Sequence, residues 1–364
     1  MGRPVGTGCV TVVKIASTHP ERRFSMGILS TLSSVKLTVA GIIALATGIL
    51  VTYKNGNAAV AWIVAPLLLL ALNLLFALFM NVRFRQQGGL MTFHLCLLAI
   101  VLLAAWGRLA VFRGHVEIAQ GQNFDPATVV TDQRGLWHPW SKLQQVRFEQ
   151  GDIRVRYAPK LRRGTTQSTV LMRSSDGRRR AATVGDIYPL KAAGYRFYTT
   201  SNKGYALVLT WRGDDGNVQR GAVHFPSFPL NDWKQINTWV TPAGTAVGLE
   251  FHPKTTVPLD SHWSLDSRNS AGSMTVSMND SDRVTLEAGE QITLPGGTLH
   301  YEGPRMWMGY VIFYDPTLAW LLAAALIGVL AMAWHFWTSI WSRPLTTPVI
   351  DSKEPDHGIR VVSA

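Results

Sequence analysis

Four runs of apolar residues, each of membrane-spanning length, constrain the fold of this chain more than any other feature. Leu37 to Tyr53, Val60 to Val82 and Leu90 to Phe112 precede a long polar block, and Thr317 to Trp337 follows it. Each run approaches or exceeds the roughly 20 residues that cross a ~30 Å hydrocarbon core. The first carries only Lys36 at its edge, and the second has no charge between Lys54 and Arg83, which argues against buried helices of a soluble protein. The expected fold class is an α+β membrane protein. Three transmembrane helices lie N-terminal and one C-terminal, with a large, mostly β extracytoplasmic domain between the third and the fourth. The chain then divides into an arm (1–36), three helices (37–112), a β-rich domain (113–306), a fourth helix with its approach segment (307–338) and a tail (339–364).

Positive charge beside the spans orients them. The arm carries Arg3, Lys14, Arg22, Arg23 and Lys36 against Glu21, the first turn holds only Lys54, and the second turn holds Arg83 and Arg85. The N-terminus is therefore expected in the cytoplasm, the tail with Arg343, Lys353 and Arg360 on the same side, and the β domain outside. Arg108 and Arg113 oppose this assignment, but they flank a long translocated domain, where the charge rule is weak. No small-residue cleavage site follows the first run, so it is expected to stay as an anchor.

The net charge of +12 and pI near 10.0 fit inner flanks and lipid headgroup contacts in such a protein, so nucleic acid is not the expected partner. Two basic clusters lie in the polar block, Lys160, Arg162 and Arg163, and Arg178 to Arg180. The second follows Ser174, Asp176 and Gly177, which read as a turn, so hairpin ends facing solvent or headgroups are expected; an acidic protein partner is the alternative. The two cysteines are Cys9 in the arm and Cys96 in the third span. The block between the spans can therefore neither form a disulfide nor exchange thiols.

That block alternates as strands do. Ile153, Val155 and Tyr157 share one face, Tyr205 to Trp211 is rich in β-formers, and Met274 to Met278 and Arg283 to Leu286 alternate likewise. Arg212 to Asn217 and Leu294 to Gly297 read as turns, so a sandwich or open barrel is expected. No hydrolase triad signature, phosphate loop, zinc-spaced Cys/His set or paired-carboxylate motif is present. His115, His138, His224, His252, His262 and His300 are scattered without ligand-like spacing.

Two histidines lie inside the spans. His94 is about one turn into the third, and His335, among Trp334, Phe336 and Trp337, is at a similar distance from the inner end of the fourth. An ionisable ring at that depth normally faces a partner, a cavity or a metal. Neutral imidazole is a good axial ligand for haem iron, so His94 and, more weakly, His335 are the candidate cofactor-binding residues. The alternative is that each ring bonds a neighbouring helix, which suits His335 better because aromatic residues surround it.

Several segments stand out in order: Leu32 to Leu37 entering the first span, Gly89 to His94 through Gly107, and Phe112 to Ile118 with Gly121 and Gln122. Tyr188 to Leu190 with Gly194 to Tyr198, and Met308 to Val311 with Asp315 and Pro316, follow. Together they resemble the ResB family, also called CcsB, of the system II machinery for maturing c-type cytochromes. The likeness covers nearly the whole chain, including its three-plus-one topology. The resemblance implies a multi-pass protein of the bacterial inner membrane. It also implies a ResC- or CcsA-like multi-span partner with a tryptophan-rich motif, apocytochrome c as client, and haem b held in transit with His94 as the iron ligand on the inner side. His335 has no counterpart in the resemblance. This chain has no tryptophan-rich motif, so it is at most one subunit of a haem-lyase complex, with no complete active site. The rival expectations are a haem-b electron-transfer subunit with His94 and His335 as ligands, and a scaffold subunit without haem.

Overall fold

The computed structural model describes residues 31–55, 60–173, 178–278 and 282–341. Cys9 and the turn read at Ser174, Asp176 and Gly177 lie outside them. The helices are α1 (Val35–Asn55), α2 (Ala61–Met80), the short α3 (Val82–Gln86), α4 (Gly88–Ala110), α5 (Trp140–Leu143) and α6 (Leu318–Trp341). Among them α1, α2, α4 and α6 are long and apolar enough to cross a membrane, three before the polar block and one after it. Their apolar side chains remain largely exposed, Ile43, Leu50, Leu322, Val329 and Leu330 among them, as expected of helices whose solvent is lipid. The protein is a multi-pass membrane protein.

The chain folds into two compact bodies. One consists only of helical segments, from the described residues up to Ile42, Leu68–Leu102 and Trp320 onward. Within it a polar cluster joins α1 to α2. The Thr38 hydroxyl donates to Asn73 Oδ1 at 2.7 Å, and the buried Asn73 amide donates to the Leu32 and Ser34 carbonyls at 2.6 and 3.2 Å. Ser34 in turn caps α1 by accepting from the Leu37 amide at 3.3 Å. Each polar group so placed has a partner, which an apolar surrounding requires. Helices α4 and α6 approach through small residues. A Cβ on Gly89 would meet the Ala331 carbonyl and the His335 amide at 2.9 Å, and one on Gly328 would meet Cys96 Cβ at 3.3 Å.

The second body holds the β domain with the adjoining helix ends. Its strands are β1 (Phe112–Ala119), β2 (Val130–Arg134), β3 (Glu149–Ala158), β4 (Arg162–Arg173), β5 (Arg179–Gly185), β6 (Leu190–Ala192), β7 (Tyr195–Gly213) and β8 (Val218–Ser227). There follow β9 (Ile236–Val240), β10 (Ala246–Pro253), β11 (Trp263–Asp266), β12 (Gly272–Ser277), β13 (Arg283–Leu286), β14 (Gln291–Leu294) and β15 (Gly297–Tyr314). They form three antiparallel sheets. The largest runs β2-β1-β15-β7-β6, with β14 against β15 and β8 against β7. The others run β13-β12-β10-β9 and β11-β3-β4-β5.

Local sequence explains several of these elements. In β3 the alternation buries Ile153, Val155 and Tyr157 and leaves Arg156 exposed. Gly216, at φ 81°, turns β7 into β8, and Gly296, at φ 85°, turns β14 into β15, a backbone region that glycine enters without strain. The third span stops at Ala110, and Phe112 already opens β1 with a fully buried ring. The approach to α6 is likewise strand, because β15 continues to Tyr314 and pairs with β1 from Trp307 onward. The core is aromatic, with Tyr195, Phe197, Tyr205, Tyr301 and Tyr310 buried. Between the first and third sheets, Tyr310 donates to Gln150 Oε1 at 2.6 Å, Gln150 Nε2 donates to Ser168 Oγ at 2.7 Å, and the Ser168 and Tyr310 hydroxyls are 2.6 Å apart. Each hydroxyl therefore both donates and accepts, which closes a buried ring of three hydrogen bonds.

Candidate functional site

His94 lies in the second turn of α4, half-buried. Its Nδ1 is 2.8 Å from the carbonyl oxygen of Leu90, four residues earlier on the same helix. A carbonyl can only accept, so Nδ1 carries a proton and donates it to Leu90. Nε2 has no hydrogen-bond partner among the described residues. Phe84 of α3 packs over the ring, with centroids 4.3 Å apart and planes tilted by 41°, and Phe93 meets it edge-on at 5.4 Å. The helix backbone and two aromatic rings thus fix the orientation of the imidazole and leave Nε2 open. Metal-bound histidines use the same arrangement, with the second nitrogen hydrogen-bonded to a carbonyl that sets ring orientation and basicity. The residues present fit an axial ligand for haem iron.

His335 lies on α6, also half-buried, and its ring is 5.7 Å from that of Phe336. With Gln86, Gln87, Trp334 and Thr338 it lines an open cleft of about 380 Å³. The face of α4 that meets α6 carries Gly89, Phe93 and Cys96, which lie against Ala331, His335 and Gly328. At 100° per residue, His94 is turned about 130° away from that face. The structure therefore does not bring the two imidazoles to opposite sides of one space.

Four histidines of the β domain are engaged otherwise. His115 Nδ1 is 3.0 Å from Asp132, His224 stacks on Trp307 at 5.6 Å, and His252 Nε2 is 3.1 Å from the Thr275 hydroxyl. His138 is buried against Phe112, with ring centroids 4.7 Å apart, and its Nε2 is 2.6 Å from the Tyr195 hydroxyl. Burial, and secondarily the Arg134 charge, push its pKa down to about 4, so the ring is neutral near pH 7 and part of the core. Among the described residues no group of three His, Cys, Asp or Glu side chains could hold a metal ion.

One buried charge escapes a reading of the sequence. Lys203 is 4 % exposed, its Nζ donates to the Ser201 carbonyl at 3.0 Å, and it lies 5.5 Å from the Tyr157 ring centroid. Burial lowers its pKa to about 8; the Arg163 charge lowers it further and Asp186 opposes both. Ser201, Asn202, Lys203 and Gly204 have turn-like composition, which conceals that they lie within β7.

Among curated proteins, none matches this chain. Residues 83–344, more than half of the chain and spanning α3, α4, the β domain and α6, match the ResB-like family, and the protein belongs to that family.

Proposed function

We propose that this protein is a subunit of a system II cytochrome c maturation complex, in which it binds haem b in transit through His94 and helps to present it to apocytochrome c. The observation that carries the reading is the open Nε2 of His94, on a ring held through Nδ1 by the Leu90 carbonyl and flanked by Phe84 and Phe93. Membership of the ResB-like family supports it.

Orientation rests on charge. Arg83 and Arg85 between α2 and α4 outnumber Lys54 between α1 and α2, which puts His94 near the cytoplasmic leaflet of the inner membrane and the β domain in the periplasm. A periplasm-active reporter fused after Gly151 is then active, and one fused after Arg85 is silent.

Covalent attachment of haem to apocytochrome c would need reduced haem iron and free substrate thiols. The two cysteines of this chain, Cys9 and Cys96, lie outside the β domain and supply no thiol there. Its part is binding and positioning. A ResC- or CcsA-like multi-span partner would supply the remaining haem contacts.

Replacing His94 with Ala removes the ligand while improving local helix propensity, so the protein accumulates normally. Haem co-purifying with the complex and cytochrome c maturation both fall to background. Added imidazole, which enters the vacated space and ligates iron, restores part of the haem. Wild-type haem content in His94→Ala at wild-type protein level overturns the reading.

A further inference from the structure

Helix α4 does not end free. Beyond Ala110 a single residue, Val111, leads into β1, and the last carbonyls of the helix need donors that the helix cannot supply. A loop of the β domain provides them. The Gly135 amide donates to the Val111 carbonyl and the Trp137 amide to the Leu109 carbonyl, both at 2.8 Å. Only glycine fits at 135, where a Cβ would overlap the Leu109 carbonyl. The loop is thereby clamped at the height of the last helical turn.

What it displays there is apolar. Leu136 is 79 % exposed and Trp137 is 59 % exposed, and the Trp137 ring packs on Trp106 of α4 at 5.4 Å. Trp106 is four residues before the helix end, about 6 Å along the axis, which is the depth at which a spanning helix leaves hydrocarbon for headgroups. Exposed cations lie on the strands and the short helix that flank this loop in sequence and pairing. Arg113 lies in β1, Arg134 opposite Phe112 in β2 and over the Trp140 ring at 5.1 Å, and Lys142 in α5. Indole rings at a lipid boundary with arginine and lysine beside them suit the interface of a bilayer that contains anionic lipid.

We propose that the loop Gly135–Trp137 is a membrane-interface anchor of the β domain. Leu136 and Trp137 enter the leaflet beside the end of α4, and Arg113, Arg134 and Lys142 contact lipid phosphates. The occupant follows from continuity, because the loop is bonded to, and stacked on, the last turns of a helix that itself spans the membrane. The anchor holds the β domain in a fixed pose on its one-residue connection.

The test uses the full chain with Cys9→Ser and Cys96→Ala, carrying Leu136→Cys labelled with an environment-sensitive fluorophore. It is reconstituted in phosphatidylcholine vesicles containing phosphatidylglycerol and a lipid with a quencher near the headgroup. Asn217→Cys, exposed in the turn at the opposite end of β7, serves as the aqueous reference. The label at 136 is expected to be blue-shifted and to lose most of its emission to the quencher lipid, while the label at 217 keeps its emission. Arg113→Gln with Arg134→Gln is expected to reduce that loss in vesicles with phosphatidylglycerol and to have no effect in phosphatidylcholine alone. A label at 136 that reads like the one at 217 overturns the proposal. So does a label shielded from water but untouched by the quencher lipid, which would identify a protein occupant.

Discussion

In the helices glycine allows close approaches, with Gly89 against the Ala331 carbonyl and the His335 amide, Gly41 against Leu70, and Gly328 against Cys96. In the β domain the packing runs through rings, with Phe124 on Phe148 at 5.1 Å, Tyr205 on Phe251 at 4.9 Å and Tyr195 on Tyr314 at 4.8 Å. The difference follows from the two solvents. Lipid is as apolar as leucine, so burying a large side chain between helices gains little, and helices associate where small residues let backbones approach. Water drives the aromatic side chains of the β domain into a common core. Polar groups obey one rule in both regions: Asn73 in the helices and Gln150 in the β domain each have their partners.

The largest expected effect lies in the aromatic core. Phe197 is fully buried and meets Phe124 at 5.3 Å and Phe148 at 5.4 Å. Phe197→Ala is expected to destabilise the β domain by about 3–5 kcal/mol, read as loss of near-ultraviolet dichroism at lower denaturant. The counterpart in the helices is Gly89→Val, which drives a branched side chain into the α6 backbone. A cost of about 1–3 kcal/mol is expected from strain of this kind. It is confined to helix association, so a cysteine crosslink between α4 and α6 weakens while the β-domain transition stays in place. A shift of both transitions together in either variant would break the distinction between the two regions.

Next comes the buried ring of hydrogen bonds. Tyr310→Phe keeps the shape of the core but removes the donor to Gln150 Oε1 and the partner of Ser168. The expected loss is about 1–2 kcal/mol, within the range for leaving a buried polar group unpaired. Restoring stability with Gln150→Leu and Ser168→Ala in the same chain would show that the cost lies in the orphaned polar groups.

The four spans were legible because a membrane helix must be apolar throughout its length. The strand segments at Ile153 to Tyr157 and Arg283 to Leu286 were legible from alternation, and the turns at Gly216 and Gly296 from glycine. The sheet order was not, since β1 pairs with β15 and β15 with β7 across long stretches of chain, and no local pattern encodes such partners. His94 stood out because imidazole is rare at that depth. Its ring orientation could not be read, because it depends on the distance of one backbone carbonyl. That His94 turns away from α6 was within reach of helical periodicity, but only once the residues of α4 that touch α6 were known.

The smallest effect is expected where the β domain meets water. Arg220 holds Glu302 in a two-pronged contact, with Nε 2.7 Å from Oε1 and Nη2 2.6 Å from Oε2, on side chains 65 % and 25 % exposed. Hydrogen bonds from Arg220, then from Thr210, lower the Glu302 pKa from 4.5 to about 2. The folded state thus holds its proton less tightly than the unfolded chain does. The stabilisation is fully present above pH 4.5 and is lost as pH falls from 4.5 toward 2. Solvent screens the pair, so Arg220→Ala should cost less than about 1 kcal/mol at neutral pH and flatten the acid limb below pH 4.5. His138 acts in a higher window. Its pKa is lowered from 6.5 to about 4, so the unfolded chain takes up a proton first and stability falls between those values. Melting temperatures of Arg220→Ala and of the wild type, followed from pH 7 to pH 3, should therefore run parallel above pH 4.5 and converge below it. Divergence in the upper window would mean that the surface pair is coupled to the buried imidazole, and the separation of rim from core would fail.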